Sequence, residues 1–170
     1  MYFLPISLLG QELPKKHSIY VQGGYMSSLY VKEAKGKRII SETETMHHKC
    51  VILNAGFQLL LTNKWLIGPA FTYDHFGTKQ RAVEYSVLSY LLRCDRMWKE
   101  TKIYRLYSGL AIGLRTVKRF EDEVITERRI IPGYHIYLIG ADIKINKFLF
   151  DVNAGYGVSG ILNFGGKYEF

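Results

Sequence analysis

No stretch of this 170-residue chain is apolar enough to cross a bilayer as a helix, which takes about 20 consecutive, predominantly apolar residues. The uncharged run Val152–Gly166 is broken by glycine and asparagine. A chain of this kind can cross lipid only as a closed barrel, the other arrangement that satisfies every backbone polar group. Cysteine is also scarce, at 2 residues, and this number and spacing exclude a zinc motif. Cys50 and Cys94 fall in predicted strands and point to opposite faces, so two free thiols are expected. Acidic residues are few, 15 against 23 basic, for a net charge of +8. No arginine-rich helix, zinc pattern or RNA-binding signature accompanies the charge, so nucleic acid is not the expected partner. A solvated basic surface and attraction to anionic headgroups remain. What is abundant is tyrosine, 13 residues, and glycine, 16.

Apolar residues recur with period two, the signature of strands with one apolar face. The alternation predicts eight strands. The first is Ser18–Val31, with Ile19, Val21, Gly23, Tyr25, Ser27, Leu29 and Val31 opposite Gln22, Gly24 and Ser28. His48–Leu61 and Trp65–Phe76 follow, separated by the turn Thr62-Asn63-Lys64. The fourth is Val83–Trp98. Its early residues Val83, Tyr85 and Val87 have the opposite parity to Leu88, Tyr90 and Leu92, which suggests a bulge. The fifth is Ile103–Lys118, where Tyr104, Leu106, Leu110, Ile112 and Leu114 alternate with Arg105, Tyr107, Gly109, Ala111, Gly113 and Arg115. Phe120–Arg129 reads as a charged loop. The sixth strand is Ile131–Ile145, with Tyr137, Ile139, Ala141, Ile143 and Ile145 opposite Gly140, Asp142 and Lys144. Phe148–Tyr156 and Gly160–Phe170 complete the set. These strands are longer than the usual 5–6 residues. Short connections at 63–64, 99–102 and 146–147 alternate with the set at 33–47, 77–81, 120–129 and 157–160.

The eighth strand ends Gly166-Lys167-Tyr168-Glu169-Phe170, with Phe164 extending its apolar stripe. With the strand count and the loop asymmetry, this resembles the small eight-stranded outer-membrane β-barrels of Gram-negative bacteria, over roughly residues 18–170. The resemblance implies an all-β, antiparallel, up-and-down transmembrane barrel in the outer membrane, both termini periplasmic, monomeric and without cofactor. In that family a final aromatic with apolar residues before it is read by the barrel-assembly machinery, which would assign Phe164, Tyr168 and Phe170 that role. Residues 1–10, Met-Tyr-Phe-Leu-Pro-Ile-Ser-Leu-Leu-Gly, resemble the end of a secretory signal without its positive leader. They read as a signal-peptide remnant, with 11–17 as a lead-in.

If the apolar stripe faces lipid, the other stripe faces an interior just wide enough to be filled by side chains. Arg93, Asp95, Arg105, Arg115, Asp142, Lys144, Asp151, Lys167 and Glu169 are expected there. Buried charges are costly unless paired, so they are expected to form a polar plug rather than a gated path. Lys35, Lys37, Arg38, Lys79, Arg81, Arg128 and Arg129 fall near the long-loop ends. They either meet the phosphates of lipopolysaccharide or only keep the loops soluble. Trp65, Trp98, Tyr104, Phe148, Tyr168 and Phe170 fit an interfacial girdle.

No enzyme activity is expected. His135 has no serine beside it in the sequence. His47-His48 has only Glu42 and Glu44 as neighbouring candidate ligands, without the spacing of a metal motif, so no metal is expected. His75 is expected to pair with Asp74. The expected role is structural, adhesive or lipid-interacting. The competing architecture is a soluble lipocalin-like barrel, with the apolar stripe inside around a lipophilic ligand; alternation alone does not say which face is inside.

Overall fold

The structure, a computed structural model, describes residues 17–27, 46–48, 52–62, 64–78, 83–122 and 124–170. Its strands are β1 (His17–Tyr25), β2 (Met46–His48), β3 (Ile52–Thr62), β4 (Trp65–Thr78), β5 (Val83–Glu100), β6 (Tyr104–Glu121), β7 (Val124–Ile145), β8 (Phe148–Gly157) and β9 (Leu162–Glu169). From β3 to β9 each strand pairs antiparallel with the next in the chain, and β1 pairs with β3. β1 closes the ring on β9, with Ile19 opposite Tyr168 and Val21 opposite Gly166. β2 and β3 pair with successive parts of the same side of β4, so the nine strands form eight staves.

The two faces sort cleanly. Along β5, Leu88, Tyr90, Leu92 and Trp98 are exposed, while Val87, Ser89, Leu91, Arg93, Asp95 and Met97 are buried. The same split runs through β8, where Phe148, Phe150, Val152 and Tyr156 point out and Leu149, Asp151 and Asn153 point in. The apolar stripe is therefore outside and the charged stripe inside. This overturns the lipocalin-like arrangement, which needs the reverse. Exposed aromatics form two rings: Trp65, Trp98, Phe148 and Phe170 near the short turns, and Tyr25, Tyr73, Tyr90, Tyr134 and Tyr156 toward the long loops.

Side chains fill the interior, and glycine makes room for them. A Cβ on Gly140 would stand 2.2 Å from the Tyr107 ring, and one on Gly56 would stand 2.5 Å from that of Tyr20. Both tyrosines lie flat across a neighbouring strand where only a glycine permits that approach.

Four expectations are corrected. The charged segment 120–129 is not a loop: β6 runs to Glu121 and β7 starts at Val124, with Asp122 at φ 49° in the turn. Its charges suit a strand because same-face neighbours pair, Arg119 with Glu121 and Arg129 with Glu127. No bulge divides β5 at Val87, since its register with β4 is unbroken there. Val83, Tyr85 and Val87 instead point inward and join Phe76 and Val117 in an apolar cluster, because the interior itself turns apolar toward the loop end. The register of β5 slips only near its turn end, between Met97 and Lys99, and a bulge that changes a predicted face lies in β7, between Tyr137 and Ile139. It puts Tyr137 inside, 2% exposed, and leaves both Leu138 and Ile139 outside. Finally, β1 ends at Tyr25, because Met26 takes φ 56°; Ser27 then turns inward and is buried.

Candidate functional site

The polar interior is the densest chemistry in the molecule. It begins at the turn end, where β5, β6, β7 and β9 bring Glu100, Arg105, Lys144 and Glu169 together. Arg105 donates to Glu169 Oε1 at 2.5 Å and to Glu100 Oε1 at 3.2 Å. Lys144 pairs with Glu100. Deeper in, Arg105 Nη1 donates to Asp142 Oδ2 at 3.4 Å. Asp142 on β7 stands directly opposite Asp151 on β8. Two facing carboxylates repel, and the Lys167 ammonium relieves this: its Nζ lies 2.9 Å from Asp142 and 2.5 Å from Asp151.

Asp151 collects three further donors. Gln22 Nε2 donates to it at 2.7 Å, Asn153 Nδ2 at 2.8 Å and the Tyr107 hydroxyl at 2.6 Å. Arg93 Nη2 donates in turn to the Tyr107 oxygen at 3.2 Å, and Arg93 Nε donates to both oxygens of Asp95. Gln58 Nε2 donates to Asp95 at 2.7 Å. The Arg93 guanidinium is fully buried and lies over the rings of Tyr137, Tyr20 and Tyr107, at 3.9, 5.0 and 5.6 Å from their centroids. Cation–π attraction strengthens when the cation is desolvated in this way.

Above this level Tyr20, Ala70, Leu91, Ala111, Tyr137 and Val158 make an apolar layer. The last loop dips into the barrel beside it. Ser159 is buried, 3.4 Å from both Tyr137 Oη and Thr72 Oγ1. The Ser159 backbone N–H donates to His135 Nδ1 at 3.2 Å. Folding thus brings a serine onto His135, but by its amide rather than its hydroxyl.

Arg93, Asp95, Arg105, Asp142, Asp151 and Lys167 are joined and buried, and Lys144 and Glu169 stand at the turn-end mouth. Arg115 occupies an interior register position of β6, half-buried, and makes no ion pair among the described residues. Arg128 and Arg129 lie on β7; Arg129 pairs with Glu127 at 2.8 Å, and Arg128 faces Lys118 across the ladder. Lys35, Lys37, Arg38, Lys79 and Arg81 lie outside the described residues, as do Cys50 and the His47 and His48 side chains. Cys94 is a free thiol. His75 does not pair with Asp74, because adjacent strand residues face opposite ways. It meets Glu84 at 3.2 Å, while Asp74 accepts from Ser27 Oγ inside. Among the described residues no cluster of three or more His, Cys, Asp or Glu is placed to hold a metal.

The sequence did not single out Tyr20, Tyr107, Tyr137, Ser159 or the amides of Gln22, Asn54, Gln58, Asn153 and Asn163. The polar-face parity of Tyr107, Gln22 and Gln58 was the available signal; Ser159 had none.

The N-terminal β-barrel domain of Pseudomonas aeruginosa OprF is similar in structure, with a TM-score of 0.57 and 12% identity over 91% of this chain and 97% of that one. The small outer-membrane β-barrel is the fold of this chain. Ail, the attachment invasion locus protein of Yersinia pestis, shares it. In complex with the heparin analogue sucrose octasulfate, Ail gives a TM-score of 0.52 and 13% identity over 93% of this chain and 100% of that one; on its own it gives 0.52 and 13% over 92% and 97%. No family model and no curated protein matches the chain in sequence. At these identities the shared feature is the barrel, not its side chains.

Proposed function

We propose that the protein is a monomeric outer-membrane barrel, filled rather than open, that presents a basic attachment surface to anionic sugars outside the cell. The apolar outer face supports the membrane reading. Trp65 and Tyr73 are eight residues apart on β4, as are Tyr90 and Trp98 on β5. At about 3.3 Å per residue and a tilt of about 40°, the rings are about 20 Å apart, close to the apolar band of such barrels. The short turns and both ends of the described barrel would then be periplasmic. The stripe Phe164, Tyr168 and Phe170 would serve the assembly machinery. The joined interior charges would act as a plug, with no catalytic role and no cofactor.

One observation carries the attachment reading. β5, β6 and β7 have 18, 18 and 22 residues, against 10 and 8 in β8 and β9. Their loop-end halves rise past the aromatic ring as a sheet, and on it Lys118 and Arg128 are direct cross-strand partners. Like charges in that position repel, so a bound anion between them is favoured. Such a pair suits the phosphates of lipopolysaccharide or a sulfated polysaccharide; Ail, with the same fold, has been solved with a sulfated sugar. Arg129, held by Glu127, would contribute less, and Lys35, Lys37, Arg38, Lys79 and Arg81 would extend the surface.

Binding of the detergent-purified protein to immobilised lipopolysaccharide and to heparin tests this reading. Lys118→Gln with Arg128→Gln removes two contacts worth about 1 kcal/mol each, so affinity should fall about thirtyfold and wild-type binding should weaken with salt. Binding that ignores both the double variant and salt would contradict the proposal.

A further inference from the structure

The outward stripe of β5 reads Leu88, Tyr90, Leu92, Cys94, Arg96, Trp98. Arg96 is the one charge that interrupts it. An arginine on a lipid-facing stripe is tolerated near the interface and costly at the midplane. Arg96 lies at the interface end, next to the turn-end aromatic ring. It is exposed, pairs with no carboxylate among the described residues, and stacks its guanidinium over Trp65 at 5.8 Å from the ring centroid.

A groove opens beside it on the outer wall, with a volume of about 550 Å³, within the usual range for a small-molecule site. Its origin is local. Ser108 faces Arg96 across the β5–β6 ladder and is small. On the other side of β6 the β7 bulge sets both Leu138 and Ile139 against Ser108, swelling the wall. The low floor at Ser108 and Gly109 therefore lies between Leu138 and the Trp65–Arg96–Trp98 rim.

We infer that this groove is a binding site for one anionic phospholipid of the leaflet at the turn end. An acyl chain lies along the apolar floor, and the headgroup phosphate meets the Arg96 guanidinium between the two tryptophans. Charge complementarity selects the occupant: the lining is mostly apolar, and its one charged group is the Arg96 cation, which pairs with no carboxylate among the described residues. The inference rests on the membrane reading, and it concerns a different face and a different ligand from the attachment sheet.

The chain supplies its own probe, because its only two tryptophans both rim the groove. The full chain is placed in phosphatidylcholine nanodiscs that hold a minor share of one lipid with brominated acyl chains, which quench tryptophan on contact. Brominated phosphatidylglycerol should quench at a lower share than brominated phosphatidylcholine, with a preference of about fivefold for one basic contact. Arg96→Gln should abolish the preference, and Ser108→Leu, which fills the floor, should do the same. Both positions face outward, so both variants should fold. Equal quenching by the two lipids, or a preference that survives both variants, overturns the site while leaving the membrane reading intact. Tryptophans shielded from both lipids in a dimeric species would assign the groove to a second copy and overturn it as well. No quenching by either lipid in a monomer would instead sink the membrane reading.

Discussion

Lys167 Nζ stands 2.9 Å from Asp142 Oδ1, and the two residues lie on β9 and β7, strands that are not neighbours in the sheet. The ion pair passes across the interior over β8, whose Asp151 takes the other side of the same ammonium. All three side chains are fully enclosed. A buried cation that holds two facing carboxylates cannot be removed alone without leaving charge uncompensated.

Lys167→Met should therefore destabilise the barrel by about 3–5 kcal/mol, measured as a shift in the urea midpoint of the unfolded-to-folded transition in detergent. Adding Asp142→Asn should recover part of the loss, because Asp151 keeps its three hydrogen-bond donors. A single variant that unfolds like the native chain would show that the ammonium does not hold the carboxylates.

Gly140 is required by the Tyr107 ring rather than by its own backbone. Gly140→Val should displace that ring from Asp151 and cost about 1–3 kcal/mol, as overpacking does. Combining it with Tyr107→Leu should make Gly140→Val much less harmful. If the two losses simply add in a double-mutant cycle, the close approach is not what the glycine serves.

The Arg93 guanidinium, caged by Tyr20, Tyr107 and Tyr137 and chelated by Asp95, fills the middle of the barrel. An apolar cluster of Phe76, Val83, Tyr85, Val87 and Val117 lies beyond it toward the loop end. The purified protein in a planar bilayer should give no steady conductance steps. Regular single-channel steps would mean that the packed interior opens.

Phe170 joins the barrel seam twice. Its backbone N–H donates to the His17 carbonyl at 2.9 Å and its carbonyl accepts from His17 at 3.1 Å, while its ring packs against His17, Phe57 and Tyr168. Deleting Phe170 should lower the yield of folded barrel in the membrane fraction far more than deleting Lys35. Equal yields would argue against a role for the aromatic stripe in closure or assembly.

Much of this architecture could be read from the sequence because strand alternation is local. Leu88, Tyr90 and Leu92 against Ser89, Arg93 and Asp95 specify a face without knowledge of any partner. Tyr137 was misplaced because the bulge beside it depends on how β7 meets Ser108 of β6, a pairing that Tyr137 and its neighbours do not encode. Val83, Tyr85 and Val87 looked out of phase only because the interior was expected to be polar throughout. The contacts among Lys167, Asp142 and Asp151 follow from the register of β7, β8 and β9, and individual residues do not disclose it. Ser159 lies in a connection without periodicity, so its contact with His135 was invisible.

The account rests on a closed barrel that resides in the outer membrane, and migration on a denaturing gel before and after boiling, performed on fractionated membranes, tests this most directly. The protein should fractionate with the outer membrane and run as a distinct folded band that shifts on boiling. A protein recovered in soluble form without detergent, with identical migration before and after boiling, would contradict the account.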